Sequence, residues 1–346
     1  MVKVGVIGCG KIAQFRHIPE YASNPNVELV GFYDINQKRA AEVANKYGGK
    51  AYESLEALLA ADIDAVSVCT PNAVHAEQSI AALKAGKHVL CEKPMAGSIE
   101  ECDAMMKAAR ESGRFLMLGH NQRMAKAHVK AKELVASGMI GDIVTFRTTF
   151  FHGGPETWSI DPGPETWFFD KRRAVMGVMA DLGIHKTDLI HFLTGQTVVE
   201  TTAQLTTVDK KYADGSLIDV DDNAICIFKL SGGATGTMAI SWTSYGAEDN
   251  STVLYGTKGI MRIYDDPDYS LKVTTRNREK VLYQIDAIQT NERQTKSGVI
   301  DTFVDCIVEN REPVLTGEEV LKSMRVVFGS IESSNTGRAV KVNQND

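Results

Sequence analysis

The chain has 346 residues, of which 43% are hydrophobic and 24% charged, and a net charge of -6 at pH 7. At about 150 residues per domain this length predicts two domains, and the near-average composition excludes a disordered chain or a membrane bundle. The negative balance gives no electrostatic drive towards a polyanion, so nucleic acid is not an expected partner.

No apolar run approaches the about 20 residues of a spanning helix, and the first residues enter a strand without a basic leader, which predicts a cytoplasmic protein with no membrane partner. Cys9, Cys69, Cys91, Cys102, Cys226 and Cys306 never adopt the C-x-x-C spacing and read as small buried hydrophobes. No metal centre is expected.

Apolar runs at 2–7, 27–33, 65–69, 88–91 and 115–118 alternate with helical patterns at 13–22, 37–47, 74–85 and 100–111. That is a βαβ series, and the strands lack polar alternation, as strands buried on both faces do. The predicted fold is α/β: an N-terminal Rossmann domain with a doubly wound parallel sheet over residues 1–123, then a C-terminal α+β domain over 124–346. The second domain begins with a helix at 126–136, an extended run at 143–151 and a long Gly/Pro/Trp-rich loop to Asp170. After a helix at 178–193, β-rich runs at 201–208, 223–230, 235–241, 252–255, 259–264 and 271–275 predict a large, mostly antiparallel open sheet. Helices at 299–309 and 317–335 close the chain, the second opening on the Thr316-Gly-Glu-Glu capping pattern and free to pack back on the first domain.

Gly8-Cys9-Gly10-Lys11-Ile12-Ala13 follows the first strand and opens a helix, the context in which G-x-G-x-x-G/A binds a dinucleotide pyrophosphate. Asp34 ends the second strand, where a carboxylate accepts bonds from the adenosine ribose and repels a 2′-phosphate. Its other reading is a helix cap before Gln37. NAD is the expected cofactor, with NADP less favoured because Ile35 rather than arginine follows, although Lys38 and Arg39 are near in sequence.

Thr70-Pro71-Asn72 and Glu92-Lys93-Pro94 follow the strands at 65–69 and 88–91, at the edge where open α/β sheets bind ligands. Thr70, Asn72, His75, Glu92 and Lys93 therefore join Gly8, Gly10, Lys11, Ile12 and Asp34 as cofactor-binding candidates. In the second domain Asp181, His185 and Asp188 recur at i, i+4 and i+7 on one helical face. Such groups could cap, pair, serve the core or do chemistry. Asp181 and His185 have a metal-ligand spacing but no clear third ligand.

These motifs together, GCGKIA, CTPN, CEKP and GVMADLGIHKTDLIHFLTG, resemble the glucose–fructose oxidoreductase / inositol dehydrogenase / MocA family over most of the chain. The resemblance implies a sugar or polyol substrate, a Rossmann domain, and a C-terminal sheet domain often used for oligomerisation. It makes Lys93 the active-site lysine, Asp181 the substrate-binding aspartate and His185 the acid/base, with Asp188 in a structural or orienting role. One departure is Val175-Met-Gly-Val-Met where a glycine-rich stretch is usual.

Oxidising an alcohol requires a proton to leave the hydroxyl as hydride leaves the carbon, and a histidine titrating near neutrality suits that task. His120, Arg123, His152 and Trp167 are further candidates for lining a sugar site, with Asn121 and Trp158 close to them in sequence. Two other readings of the fold are a glycosidase that oxidises its substrate transiently with NAD and a non-catalytic NAD-binding sugar sensor. A homodimer or homotetramer is expected from the open sheet.

Overall fold

Strand and helix alternate through the first third: β1 (Val2–Ile7), α1 (Ile18–Ser23), β2 (Val27–Tyr33), α2 (Gln37–Tyr47), β3 (Lys50–Ala51), α3 (Leu55–Leu59), β4 (Ala65–Val68), α4 (His75–Lys84), β5 (His88–Cys91), α5 (Ile99–Ser112) and β6 (Leu116–Leu118). There follow α6 (Lys126–Ala136), β7 (Ile143–Phe151), α7 (Lys171–Ala174), α8 (Ile184–Thr194), β8 (Val198–Thr206), β9 (Asn223–Leu230), β10 (Thr235–Ser241), β11 (Thr252–Gly256), β12 (Gly259–Ile263), β13 (Leu271–Thr275), β14 (Lys280–Tyr283), α9 (Val299–Glu309), α10 (Gly317–Thr336) and β15 (Val340–Lys341). The computed structural model describes residues 1–288 and 296–344. It divides into one unit of Met1–Asn121 with Gln294–Leu321 and a second of Gln122–Arg293 with Lys322–Asp346.

In the first unit six parallel strands form a sheet in the order β3-β2-β1-β4-β5-β6. The order reverses between β1 and β4, so the loops leaving these strands open at a topological switch point. β4 and β5 are buried along their whole length, which accounts for their unbroken apolar character. The two-residue β3 and the five-residue α3, capped by the Ser54 hydroxyl on the Ala57 amide, are too short to carry a periodic signal and were not expected.

The second unit is built on nine strands in the order β14-β13-β12-β11-β7-β10-β9-β8-β15. β7 and β10 run parallel, and the other pairs are antiparallel. Along β9 the side chains of Ala224, Cys226, Phe228 and Leu230 are buried while Ile225, Ile227 and Lys229 face outward. The strand thus has one core face and one open face. Serines of α10 tie it to β8: the Ser330 hydroxyl meets Thr201 at 2.9 Å and Ser333 accepts the Ala203 amide at 3.0 Å. The Thr316 hydroxyl accepts the Glu319 amide at 3.3 Å and caps α10 as its sequence predicts. β14 and β15 add an edge at each side beyond the expected runs. All six cysteines are buried, and no helix among the described residues is long and apolar enough to cross a membrane.

Val175, which ends α7, has φ of +65°. A β-branched residue in this region carries roughly 1–3 kcal/mol of backbone strain. Because the side chain is only half-buried, Val175→Gly is expected to raise unfolding stability by about 1 kcal/mol in urea titration. A lower midpoint would mean that the valine's packing outweighs the strain.

Candidate active site and cofactor-binding residues

The glycine turn of the first unit is set by backbone bonds to the ends of neighbouring strands. Gly8 donates to the Tyr33 carbonyl at 2.8 Å with φ of +87°, and a Cβ there would stand 2.8 Å from the Cys69 carbonyl group. Only glycine satisfies both the left-handed backbone and the missing space. The next amide, Cys9, donates to Asp34 Oδ2 at 2.7 Å, while Asp34 Oδ1 accepts the Asn36 amide at 2.8 Å. Asp34 therefore shapes the glycine turn as well as ending β2. The helix cap is Asn36, whose side chain accepts the Arg39 amide at 3.2 Å, rather than Asp34.

Each carboxylate oxygen has two lone pairs, so Asp34 keeps acceptor capacity for a ribose hydroxyl beyond its two backbone bonds. Arg39 lies 3.9 Å from Asp34, and Ile35 beside it is 81% exposed, an apolar surface suited to a nucleobase. Lys11 sits with its ammonium 3.5 Å from the Phe15 ring centroid, and Gly10 and Ile12 are half-buried at the start of the helical turn. These residues fit a dinucleotide: a tight glycine turn, helical amides and an acidic strand end occur together.

The loops after β4 and β5 are braced against each other. His75 at the head of α4 spans the carbonyls of Thr70 and Pro94, each at 2.8 Å, while the Thr70 hydroxyl donates to Gln78 at 2.7 Å. Asn72 is buried in the short turn before α4. The His75 ring is occupied by this bracing and holds the two loops in place.

Glu92 is likewise buried and committed. Its carboxylate meets His17 Nε2 at 2.8 Å and accepts the Lys93 amide at 3.2 Å, and His17 Nδ1 continues to the Ser67 hydroxyl at 3.0 Å, which Tyr21 joins at 2.8 Å. Burial alone would raise this carboxyl, but the hydrogen bond and charge of His17, with Arg16 and Lys93, hold it well below the usual carboxylate range. Glu92 thereby supports Lys93, which is half-buried at the strand end and joined to Pro94 by a cis peptide. His120 is buried just after β6.

In the second unit Asp181 lies in a π-helical turn, Met179–Gly183, that leads into α8. Asp221 anchors that turn, its carboxylate accepting the Gly177 and Met179 amides at 2.9 and 2.7 Å. A Cβ on Gly177 would stand 2.0 Å from the Asp221 carbonyl oxygen, so the approach requires glycine. The buried Trp242 indole donates to Asp181 Oδ2 at 3.0 Å, and His152 Nε2 lies 3.7 Å from the same oxygen. His185 is buried one turn on, with the Phe150 ring 6.3 Å from its own and 5.8 Å from that of His152.

Asp181, His152 and His185 thus gather around the end of β7, but Arg123 and Asp188 do not join them. Arg123 forms a bidentate pair with Asp188 at 2.7 and 2.6 Å, both buried, and Ser323 adds a third bond at 3.3 Å. Asp188 thus holds the Arg123 guanidinium. Trp167 stacks on Phe168 at 3.8 Å between centroids, and Phe168 meets Trp158 edge-on at 5.1 Å.

Sequence reasoning missed three groups near Asp181: Trp242, Lys186 and Glu248. Lys186 is 0% exposed, bonded to the Asn250 carbonyl at 3.1 Å, with its ammonium 5.7 Å from the Phe150 ring. Its position inside an otherwise buried helix, next to His185, was the available signal. Burial pushes the Glu248 carboxyl up to about 7. Among the described residues no cluster of three or more His, Cys, Asp or Glu side chains could hold a metal ion.

Comparison with known proteins extends these observations to the whole chain. Residues 2–120 match the family described as "Oxidoreductase family, NAD-binding Rossmann fold", and residues 128–262 match "GFO/IDH/MocA C-terminal domain". The chain is 30% identical over 346 residues to 1,5-anhydro-D-fructose reductase of Ensifer adhaerens, and 26% identical over 355 residues to myo-inositol 2-dehydrogenase of Thermotoga maritima, with 99% of each protein covered in both cases. A solved structure of levoglucosan dehydrogenase in complex with NADH and levoglucosan is similar with a TM-score of 0.85 at 25% identity, covering 99% of each chain.

Lys186 gives a pH-dependent prediction. Burial lowers its amine from 10.5 to about 7, partly offset by Asp249 and Glu248. Between about pH 7 and about pH 10 the unfolded chain holds this proton and the folded chain does not, so stability rises with pH across that window. Lys186→Met is expected to lose this part of the slope in urea titrations at pH 7 and 9. Equal slopes in the two proteins would contradict it.

Proposed function

Because the chain belongs to the Gfo/Idh/MocA oxidoreductase family, we propose that it is an NAD-dependent dehydrogenase that oxidises a hydroxyl carbon of a sugar, inositol or related polyol, with Lys93 and His185 as its acid–base pair. The observation that carries this reading is the buried, pre-aimed carboxylate of Asp181 one turn before His185, in a chain that aligns end to end with sugar and polyol oxidoreductases. Gly8, Gly10, Lys11, Ile12 and Asp34 hold the dinucleotide, with Thr70 and Asn72 at the neighbouring strand end. The nicotinamide, when bound, supplies the hydride acceptor.

The chain's own residues handle the proton and the charge. His185 takes the proton from the reacting hydroxyl, Lys93 stabilises the negative charge that develops on its oxygen, and Asp181 orients the substrate by accepting from a hydroxyl. Glu92 and His75 act indirectly by fixing the backbone on either side of Lys93. His152 and the Trp158–Phe168–Trp167 group suit a carbohydrate, which has apolar faces and a hydroxylated rim. His120 is a further contributor to substrate binding in this reading.

A panel of polyols and sugars with NAD or NADP, followed by NADH absorbance, tests the activity. Net NADH formation with at least one polyol or sugar is expected; glycoside cleavage without net reduction, or binding without turnover, would replace the reading with a glycosidase or a sensor. His185→Ala and Lys93→Ala should each lower turnover about 10²–10⁴-fold with little change in NAD affinity. Variants that melt earlier but turn over normally would reduce both residues to structural roles.

For cofactor choice, Asp34→Ser combined with Ile35→Arg should move preference from NAD towards NADP. Because Asp34 also holds the Cys9 amide, the double variant should bind both cofactors more weakly than the parent binds NAD. An unchanged preference would mean that Asp34 does not read the ribose.

We also propose a homodimer or homotetramer formed through the open face of the nine-stranded sheet, where Ile225 and Ile227 are 62% and 49% exposed. Light scattering at micromolar concentration should give a multiple of the 37.8 kDa chain mass, and a monomeric mass would rule the assembly out.

A further inference from the structure

Lys210 belongs to none of the groups assigned above, yet its side chain is almost fully buried and its ammonium fully committed. The turn that carries it has a fixed backbone, because the amides of Val208, Asp209 and Lys210 all donate to Asp222 Oδ2, at 3.1, 2.8 and 2.9 Å. From that turn the Lys210 ammonium donates to the Gly153 carbonyl at 2.7 Å, the Tyr245 hydroxyl at 3.2 Å and the Glu156 carboxylate. Tyr245 donates in turn to Asp209.

Gly153 and Gly154 are pressed against this cation. Gly154 has φ of +102°, and a Cβ on it would stand 2.9 Å from Lys210 Nζ and 2.4 Å from Glu156 Oε2. Held this way, the Gly154 amide donates to Nδ1 of His152 at 3.0 Å. An imidazole nitrogen that accepts a hydrogen bond carries no proton, so the neutral ring has its proton on Nε2. Nε2 is the atom 3.7 Å from Asp181 Oδ2.

We propose that Lys210 is a positioning residue for the dehydrogenase reaction: by clamping the Gly153–Gly154 turn it fixes the Nε2–H tautomer of His152 that faces Asp181. The proposal rests on the reading of Asp181 as the carboxylate that orients the substrate. With the proton on Nε2, His152 presents a positive N–H edge to the carboxylate and works with the Trp242 indole to fix its direction. With the proton on Nδ1, a lone pair would face the carboxylate and repel it, and the Gly154 amide would meet a second donor. The clamp thus couples three loops, at 152–156, 207–210 and 242–250, to the aim of one side chain.

The test is nitrogen-15 NMR of the histidine-labelled protein, with His152 assigned through His152→Gln, alongside steady-state kinetics. The wild-type ring is expected to be protonated on Nε2 and not on Nδ1. Lys210→Met should populate the Nδ1–H form and lower kcat about tenfold while leaving the KM for NAD unchanged, and Lys210→Arg should restore most of both. A purely structural lysine would move the melting temperature without moving the tautomer. An Nδ1–H ring in the wild type, or a Lys210→Met protein with wild-type tautomer and kcat, would overturn the proposal. Should Lys210→Met fail to fold, Glu156→Gln is expected to move both readouts in the same direction, and an unmoved tautomer there would overturn it equally. Asp181→Asn separates the two levels: wild-type turnover in that variant would remove the role assigned to Asp181, while the NMR result for Lys210 and His152 would stand by itself.

Discussion

Strands buried on both faces expose polar chemistry only at their ends, and this constraint decides where the candidate site residues of the first unit stand. β4 and β5 have no exposed residue, so Thr70, Asn72, Glu92 and Lys93 cluster in the loops that leave their carboxyl ends. Where a polar group does occur inside, it has to be satisfied there, at a cost of about 1–3 kcal/mol if it is not. Ser67 in β4 meets His17 and Tyr21, and the same chain of bonds reaches Glu92, beside Lys93. The lysine is held by the device that makes the buried strand tolerable.

The second unit has buried carboxylates in quite different settings, and their partners tell their roles apart. Asp188 is closed by a bidentate guanidinium and the Ser323 hydroxyl, which suits a permanent tie between α8 and the segment before α6. Asp222 gathers backbone amides and shapes a turn. Asp181 has an indole N–H on one oxygen and an imidazole edge at longer range, an arrangement that directs a carboxylate.

Much of this was legible in the sequence, because periodicity and glycine placement are local properties. The alternating first third, the glycine turn before α1, the acidic end of β2 and the Asp181–His185 spacing all follow from runs of a dozen residues or fewer. What the sequence hid was commitment. Glu92 and His75 read as cofactor ligands and Arg123 as a substrate contact, since each is a polar residue at a strand end or loop. Their partners are distant along the chain: His17 is 75 residues from Glu92, and Asp188 is 65 from Arg123. Lys186, Trp242 and Lys210 were hidden for the same reason, because their bonding is decided only when loops far apart in sequence meet. The shortest elements, β3, α3 and β15, carry too few residues to show a period.

The discontinuity of the first unit has a consequence for how the protein is made. Its sheet is complete by Leu118, but α9 and the first turn of α10 belong to the same unit and are encoded after the whole of the nine-stranded sheet apart from β15. The Leu118 amide bonds to the Leu315 carbonyl, and Asn24 to Asp301, so β6 and the end of α1 lack these two bonds until those late residues leave the ribosome. At about 5–20 residues per second, the roughly 200 residues between the two parts take some tens of seconds to synthesise. During that interval the nascent nucleotide-binding sheet carries an uncovered flank, which makes it a natural client for chaperones and a poor choice for expression as an isolated N-terminal fragment.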